Sequence, residues 1–247
     1  MGLFTELSEQ PTAEFEIEEE TLGGGGNWIS ETGVYDFVIK MAHGGQSSGG
    51  AYFITMELET EDGKTMTYTN YLTSGASKGT RPYYVCKKTG KNKPLPGYSI
   101  LNAVDVIITG NPAQYPVTET KQIPLYNKEA DAVIPTEAEV VMGWVGKPIT
   151  GLIKMTREFK QAKNAAGVWV DTTETRDKAE VVHFVDSVTG QTRSEKMASK
   201  DAVVKPAFEA KFGSDYVYDK TKGAKAKAGA SKTETAADVG DSPFGAK

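Results

Sequence analysis

The clearest structural signal in this chain is the hairpin sequence YFITMELETEDGKTMTYTNYL, residues 52–72. Apolar side chains stand at every second position from Tyr52 to Leu58, which is the two-residue period of a half-buried strand. Asp62-Gly63 follows, and Asp-Gly is a preferred turn between antiparallel strands because it tolerates the left-handed backbone angles that such turns need. The return strand extends from Thr65 to Leu72, so this stretch predicts a hairpin with a fixed register.

The residues on both sides of the hairpin extend the pattern. Alternating apolar residues from Tyr35 to Met41 predict a strand before it, and together the three strands form a meander. The glycine-rich residues 42–50 indicate a mobile loop within that meander. After the hairpin, apolar residues on one side of Tyr98–Ile108 predict a helix, which Gly110 ends at the position where glycine is favoured.

The second half of the chain again indicates strands. Pro-broken residues 111–137 predict an insertion after the helix, and four apolar stretches follow it, at 139–145, 151–159, 168–170 and 181–185. Three strands, a helix and further strands predict a mainly β fold. We expect an OB-like five-stranded barrel with one helix, extra strands and the insertion at about 111–137. A β-sandwich is the competing architecture.

Both ends of the chain differ in composition from the middle. Residues 1–20 hold seven glutamates and no basic residue, and four glycines follow at 23–26. We therefore expect residues 1–26 to form an acidic, flexible N-terminal arm. From residue 220 onward apolar periodicity is lost, which predicts a disordered C-terminal tail at 220–247 because little apolar surface remains to offset the entropy of ordering. Residues 27–219 are left as the folded domain.

Charge and cysteine content restrict the function classes. The formal net charge is −5, which taken as an average argues against a nucleic-acid partner. Cys86 is the single cysteine, so no intrachain disulfide is possible and a reducing compartment is expected. The N-terminus lacks the pattern of a signal peptide. The longest apolar run, near Val104–Ile108, is too short to cross a bilayer. These features predict a cytoplasmic protein without a membrane partner.

One segment departs from the acidic average. Residues 78–93 contain six basic residues and no acidic one, with two tyrosines among them; the cations are Lys78, Arg81, Lys87, Lys88, Lys91 and Lys93, and the rings are Tyr83 and Tyr84. Cations can follow a phosphate backbone while aromatic rings stack on bases. This segment therefore predicts a loop that grips single-stranded nucleic acid. The alternative is a solvated lysine loop whose tyrosines pack into the core.

Two further sets of residues fit the same surface. If Tyr52, Ile54 and Met56 face the core, Phe53 faces outward. By the same alternation Tyr71 lies on the face opposite Met66 and Tyr68. Exposed rings on a sheet are a usual stacking platform, unless a second layer covers them. A second basic cluster contains Lys154 and Arg157 together with Lys147, Lys160 and Lys163. It is either a second rim of the groove or a charged strand edge that prevents edge pairing.

The last residues contain a candidate partner-binding peptide, formed by Asp238, Asp241, Pro243 and Phe244. Acidic charge beside one aromatic anchor suits a basic-rimmed pocket on another protein. The alternative is an arbitrary chain end without a partner.

Motifs for catalysis are missing from the sequence. His43 and His183 are the only histidines and lie far apart; His43 is expected to be solvated in a glycine loop, and His183 to be structural. There is no Cys or His pair at zinc-ligand spacing, and no phosphate-binding or nucleophile-elbow motif. The sequence therefore predicts a protein that is not an enzyme, with no metal site and no cofactor.

Several short stretches resemble bacteriophage single-stranded DNA-binding proteins of the OB-fold type, over about residues 30–195. They are Gly33-Val34-Tyr35, Pro96-Gly97-Tyr98, and Val145-Gly146-Lys147-Pro148-Ile149 with the strand that ends at Phe159. The closing Asp241-Ser242-Pro243-Phe244 is similar to the acidic tip of bacterial single-stranded DNA-binding proteins, although three residues follow Phe244 here.

The resemblance implies sequence-independent binding and protection of single-stranded DNA during phage DNA replication or recombination in the host cytoplasm. It also implies that the acidic tail recruits phage or host replication and recombination proteins. A different class of function stays open, namely a β-rich structural or virion assembly protein without DNA affinity.

Overall fold

A computed structural model describes residues 27–110, 116–127, 130–165 and 167–222. The predicted acidic arm at 1–26 and residues 223–247 of the predicted tail lie outside the described residues. The described part is mainly β, as predicted. Its strands are β1 (Gly33–Gln46), β2 (Tyr52–Thr60), β3 (Thr65–Tyr71), β4 (Tyr83–Val85), β5 (Asn92–Pro94), β6 (Glu119–Asn127), β7 (Ala132–Val140), β8 (Pro148–Lys163), β9 (Trp169–Val185) and β10 (Val217–Asp219).

Three α-helices accompany the strands in the described ranges, where the sequence predicted one. They are α1 (Pro96–Thr109), α2 (Arg193–Met197) and α3 (Val204–Lys211), and a 3₁₀ turn covers Ala76–Lys78. The predicted helix is confirmed as α1, and Gly110 ends it in the left-handed conformation. The start of α2 has a capping box in which Thr192 accepts a hydrogen bond from the backbone of Glu195, a sequence signal that was missed. None of these helices is long and apolar enough to cross a membrane.

The predicted meander β1–β2–β3 is confirmed as an antiparallel sheet. β1 is longer than predicted, because the supposed loop continues as strand through Gln46, and Gly44 and Gly45 pair with Ile54 and Phe53. The ring of Phe53 occupies the space beside Gly45 that a Cβ would take. The bare glycine backbone is therefore covered by a neighbouring ring instead of forming a flexible loop.

The main sheet does not close into the predicted barrel within the described ranges. Along its other side, β1 pairs first with β8 and then, near its end, with β7. The outer edge of β3 meets Trp28, which forms a bridge to Thr65, and the first turn of α1. These groups lie at the two ends of the edge where a closing strand would have to pair, and no strand of the described ranges pairs along it.

Other predicted strand boundaries also change. The insertion is a β6–β7 hairpin. Because β7 ends at Val140, the predicted strand at 139–145 is wrong for residues 141–145. Those residues form a tight turn that buries Trp144, whose indole Nε1–H donates to Asp105 Oδ1 at 3.0 Å. The two predicted strands at 168–170 and 181–185 are parts of the single strand β9, which pairs with β8 along a long two-stranded arm.

The main core lies between α1 and one face of the sheet. Phe37, Ile39, Met56 and Ile153 are among its buried side chains, and Leu101 and Val104 enter it from α1. A smaller cluster on the opposite face packs Phe208 of α3 against Leu152 and Val185. The rest of that opposite face, over β2 and β3, has no helix on it in the described ranges.

The N-terminus of α1 touches the end of β3 with almost no space between them. A Cβ on Gly97 would lie 2.0 Å from the carbonyl oxygen of Tyr71, which is far inside atomic contact. Only glycine allows this approach, and the approach sets where the helix begins relative to the sheet.

We expect Gly97→Ala to lower the free energy of unfolding by roughly 1–3 kcal/mol, because the helix must move away from Tyr71. Alanine stabilises a helix interior by up to about 1 kcal/mol relative to glycine. A net loss of stability would therefore show that the close contact with Tyr71 outweighs this higher helix propensity. Urea denaturation followed by circular dichroism measures it. Gly143→Ala is the matched control, since nothing lies near its added methyl group and its change should stay within about 0.5 kcal/mol. Equal stability of the two variants would contradict the assignment.

Candidate nucleic-acid interface

The basic segment 78–93 begins at the end of the 3₁₀ turn and continues as a small hairpin, called the basic hairpin below. β4 and β5 pair with Tyr83 opposite Pro94 and Tyr84 opposite Lys93. The base of the hairpin is closed by the Leu95 amide, which donates to the Pro82 carbonyl at 2.9 Å. Two hydrogen bonds join Ser74 to Arg81 and fix the hairpin to the end of β3. The six cations are therefore held on a folded support, and all six are exposed.

The cations of this hairpin differ from many others in their pairing. Within the described ranges, none of the five basic residues from Arg81 to Lys93 takes part in an ion pair. The segment itself contains no acidic residue. Its positive charge is consequently not neutralised by ion pairs in the described ranges and is available to a polyanion.

The second basic cluster on β8 is arranged differently. Arg157 makes two hydrogen bonds with Asp177 across the β8–β9 arm, at 2.7 and 2.8 Å, and Lys160 pairs with Glu174 at 2.9 Å. Lys154 Nζ lies 4.5 Å from the ring centre of Tyr218, and burial lowers the pKa of this lysine. The structure therefore does not bring Lys154 and Arg157 together with the basic hairpin as free cations.

Phe53 and Tyr71 lie opposite each other on β2 and β3. Their ring centres are 6.0 Å apart and the rings meet edge to face at 72°. Tyr71 is 57% exposed, while Phe53 is half-buried between Tyr71 and Gly45. The predicted aromatic pair is thus assembled, with Tyr71 as its more accessible ring. Tyr83 and Tyr84 are both half-buried in the hairpin.

Sequence reasoning missed a pocket beside these groups, with a volume of about 650 Å³. One wall is apolar and aromatic, with Tyr52, Leu72, Pro82 and Tyr98. Tyr52 was expected to be buried with Ile54, but it is 51% exposed because it lies at the end of the sheet. Pro82 belongs to the base of the basic hairpin, so pocket and hairpin share a border.

The other wall of the pocket is polar and comes from the β6–β7 hairpin and the residues before it. Glu139 is held on this wall by two hydrogen bonds: Thr118 and Thr120 donate their hydroxyls to its two carboxylate oxygens at 2.6 and 2.8 Å. These bonds, from Thr118 first and Thr120 second, lower the pKa of Glu139. The carboxylate is therefore ionised at neutral pH. The spacing Thr118-x-Thr120 was the available sequence signal, because two residues at this spacing in an extended chain face the same side.

The remaining predicted residues are placed as follows. His43 is 7% exposed within β1, so the expectation that it is solvated was wrong, and its Nδ1 has no hydrogen-bond partner in the described structure. The described ranges contain no cluster of three or more His, Cys, Asp or Glu side chains arranged to hold a metal ion. The tail residues Asp238, Asp241, Pro243 and Phe244 lie outside the described residues.

Cys86 begins the turn of the basic hairpin, and its thiol is activated. Hydrogen bonds from the Thr89 side chain, and then from the Thr89 and Lys88 amides, lower the pKa of this thiol to about 7. We expect its alkylation by iodoacetamide to reach half its maximal rate near pH 7, since the thiolate is the reacting form. Because the chain has one cysteine, mass spectrometry reads this site alone.

Thr89→Val removes the hydroxyl donor, so the midpoint should move to higher pH. Thr67→Val, which changes an exposed threonine on β3, is the control and should leave the midpoint in place. The same midpoint in Thr89→Val as in the native chain would contradict the hydrogen-bonded turn.

Neither a scan against protein-family models nor a search of curated proteins finds a match to this chain. The cations, rings and carboxylates described above therefore carry the functional interpretation.

Proposed function

We propose that this protein binds single-stranded DNA without regard to sequence, through the basic hairpin and the neighbouring aromatic rings. The observation that carries the proposal is the segment 78–93, where six exposed cations lie on the end of a 3₁₀ turn and on the hairpin that follows it, without an acidic residue among them. A strand of phosphates attracted to such a surface releases counterions, which favours binding at low salt.

The aromatic groups supply the second part of the proposal. Single-stranded nucleic acid presents unpaired bases, and each base that stacks on an aromatic side chain contributes roughly 1–3 kcal/mol. Tyr71 and Phe53 lie on the open face of β2 and β3, and the end of β3 is bonded to the hairpin base through Ser74. The hairpin that carries the cations is therefore attached to the strand that carries Tyr71, which supports backbone contact combined with stacking.

The same proposal extends to architecture and context. The meander β1–β3, with α1 on one face and β8 beside β1, supports an OB-like domain, although its sheet is open in the described ranges. In that setting the protein would coat and protect single strands during phage DNA replication or recombination in the host cytoplasm. Its acidic tail, with Phe244 as the anchor, would recruit replication or recombination proteins.

We expect the full-length protein to bind fluorescein-labelled oligo(dT) with an affinity that falls as salt rises. Fluorescence anisotropy between about 50 and 200 mM NaCl gives the slope of log affinity against log salt, which is about −0.7 for each phosphate contacted on a single strand. Removing two contacting lysines with Lys87→Ala and Lys88→Ala should reduce the size of the slope by about 1.4.

The matched control removes two lysines from the β8–β9 arm, with Lys160→Ala and Lys163→Ala. Lys160 is already paired with Glu174, and Lys163 lies against Trp169, so the slope should not change. Equal losses in both variants would move the interface away from the hairpin. No binding at the lowest salt would overturn the proposal and favour the structural or assembly function, which sedimentation of the protein without DNA would then test.

Stacking on Tyr71 is tested separately from charge. Tyr71→Ala should weaken oligo(dT) binding by roughly 1–3 kcal/mol without changing the salt slope, because a ring and not a cation is lost. Tyr126→Ala is the control, since Tyr126 is similarly exposed but lies on the β6–β7 hairpin away from Phe53. Affinity that is unchanged in Tyr71→Ala would exclude this ring from the stacking surface.

A further inference from the structure

The pocket at the end of the sheet has two walls of different chemistry. Tyr52, Tyr98 and Pro82 offer flat or apolar surfaces on one side, and Thr118, Thr120 and Glu139 offer polar groups on the other. Its volume of about 650 Å³ falls within the roughly 300–1,000 Å³ typical of pockets that enclose a small organic ligand. This combination suits a flat aromatic ring that carries hydrogen-bond donors on one edge.

Glu139 is oriented before any ligand arrives. Each of its carboxylate oxygens accepts one threonine hydroxyl, at 2.6 and 2.8 Å, and each keeps a second lone pair. An ionised carboxylate is an acceptor only. The free lone pairs therefore select a ligand edge that donates N–H groups.

The negative charge of the pocket wall determines which part of a nucleotide can enter the pocket. Glu139 and Glu137 both line the pocket, so a phosphate is repelled from it. The cations of the basic hairpin attract the same phosphate, and the base of that hairpin borders the pocket at Pro82. A strand held by its backbone on the hairpin would consequently present its bases, and not its phosphates, to the pocket.

The four bases differ at the edge that Glu139 would meet. Cytosine and adenine carry an exocyclic amino group, and guanine has an amino group beside a ring N–H, whereas thymine offers one ring N–H between two carbonyl oxygens. Carboxylates accept hydrogen bonds from the cytosine amino group in DNA recognition. A thymine carbonyl facing the carboxylate would be repelled.

We propose that this pocket receives one base of a bound single strand and favours bases with an exocyclic amino group, with Glu139 as the acceptor. The inference rests on the proposed function, since it assumes that a DNA strand lies on the basic hairpin. It adds a base preference to binding that is otherwise independent of sequence.

The test compares labelled oligo(dC) and oligo(dT) of equal length on the full-length protein, at pH 8 and one fixed salt concentration. We expect oligo(dC) to bind at least about fivefold more tightly, the lower end of what one base contact contributes. In Glu139→Gln the ratio should fall toward one, because an amide can donate to the thymine carbonyls as well as accept from cytosine.

Two further variants separate orientation and charge from base contact. Glu119→Gln removes the same charge from the same β6–β7 hairpin, but Glu119 pairs with Lys121 and does not line the pocket; both affinities should rise together at a constant ratio. Thr118→Val with Thr120→Val keeps the carboxylate but removes the hydroxyls that orient it, so the ratio should decrease while the net charge is unchanged.

The possible outcomes are distinct. Binding of both oligonucleotides with a ratio of one, or a ratio that Glu139→Gln leaves unchanged, overturns the base pocket and leaves the DNA-binding proposal standing. A ratio that shifts equally in Glu119→Gln would show a general charge effect and also overturns the pocket. Failure of both oligonucleotides to bind at low salt overturns the proposed function together with the inference.

Discussion

The contact between Gly97 and Tyr71 is the constraint on which the candidate site depends. The backbone of α1 lies against the carbonyl of Tyr71 so closely that a single methyl group has no space. This contact fixes the start of the helix, and Tyr98, the next residue, lines the pocket. Two residues earlier, Leu95 closes the base of the basic hairpin by bonding to Pro82. One close backbone contact therefore positions the helix, the hairpin, the pocket and Tyr71 relative to one another.

Ion pairs between neighbouring strands, as well as the order of residues in the sequence, determine where net charge remains on this protein. Cross-strand pairs along the β8–β9 arm, such as Arg157 with Asp177 and Arg176 with Glu158, are each worth little in stability when exposed, about 0–1 kcal/mol. Their larger effect is to neutralise the arm. The uncompensated positive charge is then concentrated on the hairpin at 81–93, which is how a net-acidic chain can present a surface for a polyanion.

Local patterns predicted the elements whose stabilising contacts lie within a short stretch of sequence. The alternation and the Asp62-Gly63 turn specify β2 and β3, and the apolar spacing with Gly110 specifies α1, so these predictions are confirmed. The patterns failed where a residue distant in sequence determines the conformation. Gly44 and Gly45 look like loop residues until the ring of Phe53 covers them, and Trp144 looks like a strand residue until Asp105 accepts its indole N–H. The edge of β3 likewise meets Trp28 and α1 at its two ends, and both are distant from β3 in the sequence. The pocket could not be read from the sequence because several separated segments contribute to it.

Adjacent residues on β2 bring both faces of the sheet to the same pocket. Phe53 shares a face with Tyr71, whereas Tyr52 points to the helix side together with Ile54, and both Tyr52 and Phe53 line the pocket at the end of the sheet. A DNA strand that stacked on the aromatic pair would therefore find the pocket directly beside it. The basic hairpin is fixed at this end through Ser74 and Arg81, and Pro82 at its base lines the same pocket. Rings, pocket and cations thus meet at one end of the sheet, which gives the position of the hairpin, and not only its composition, a physical reason.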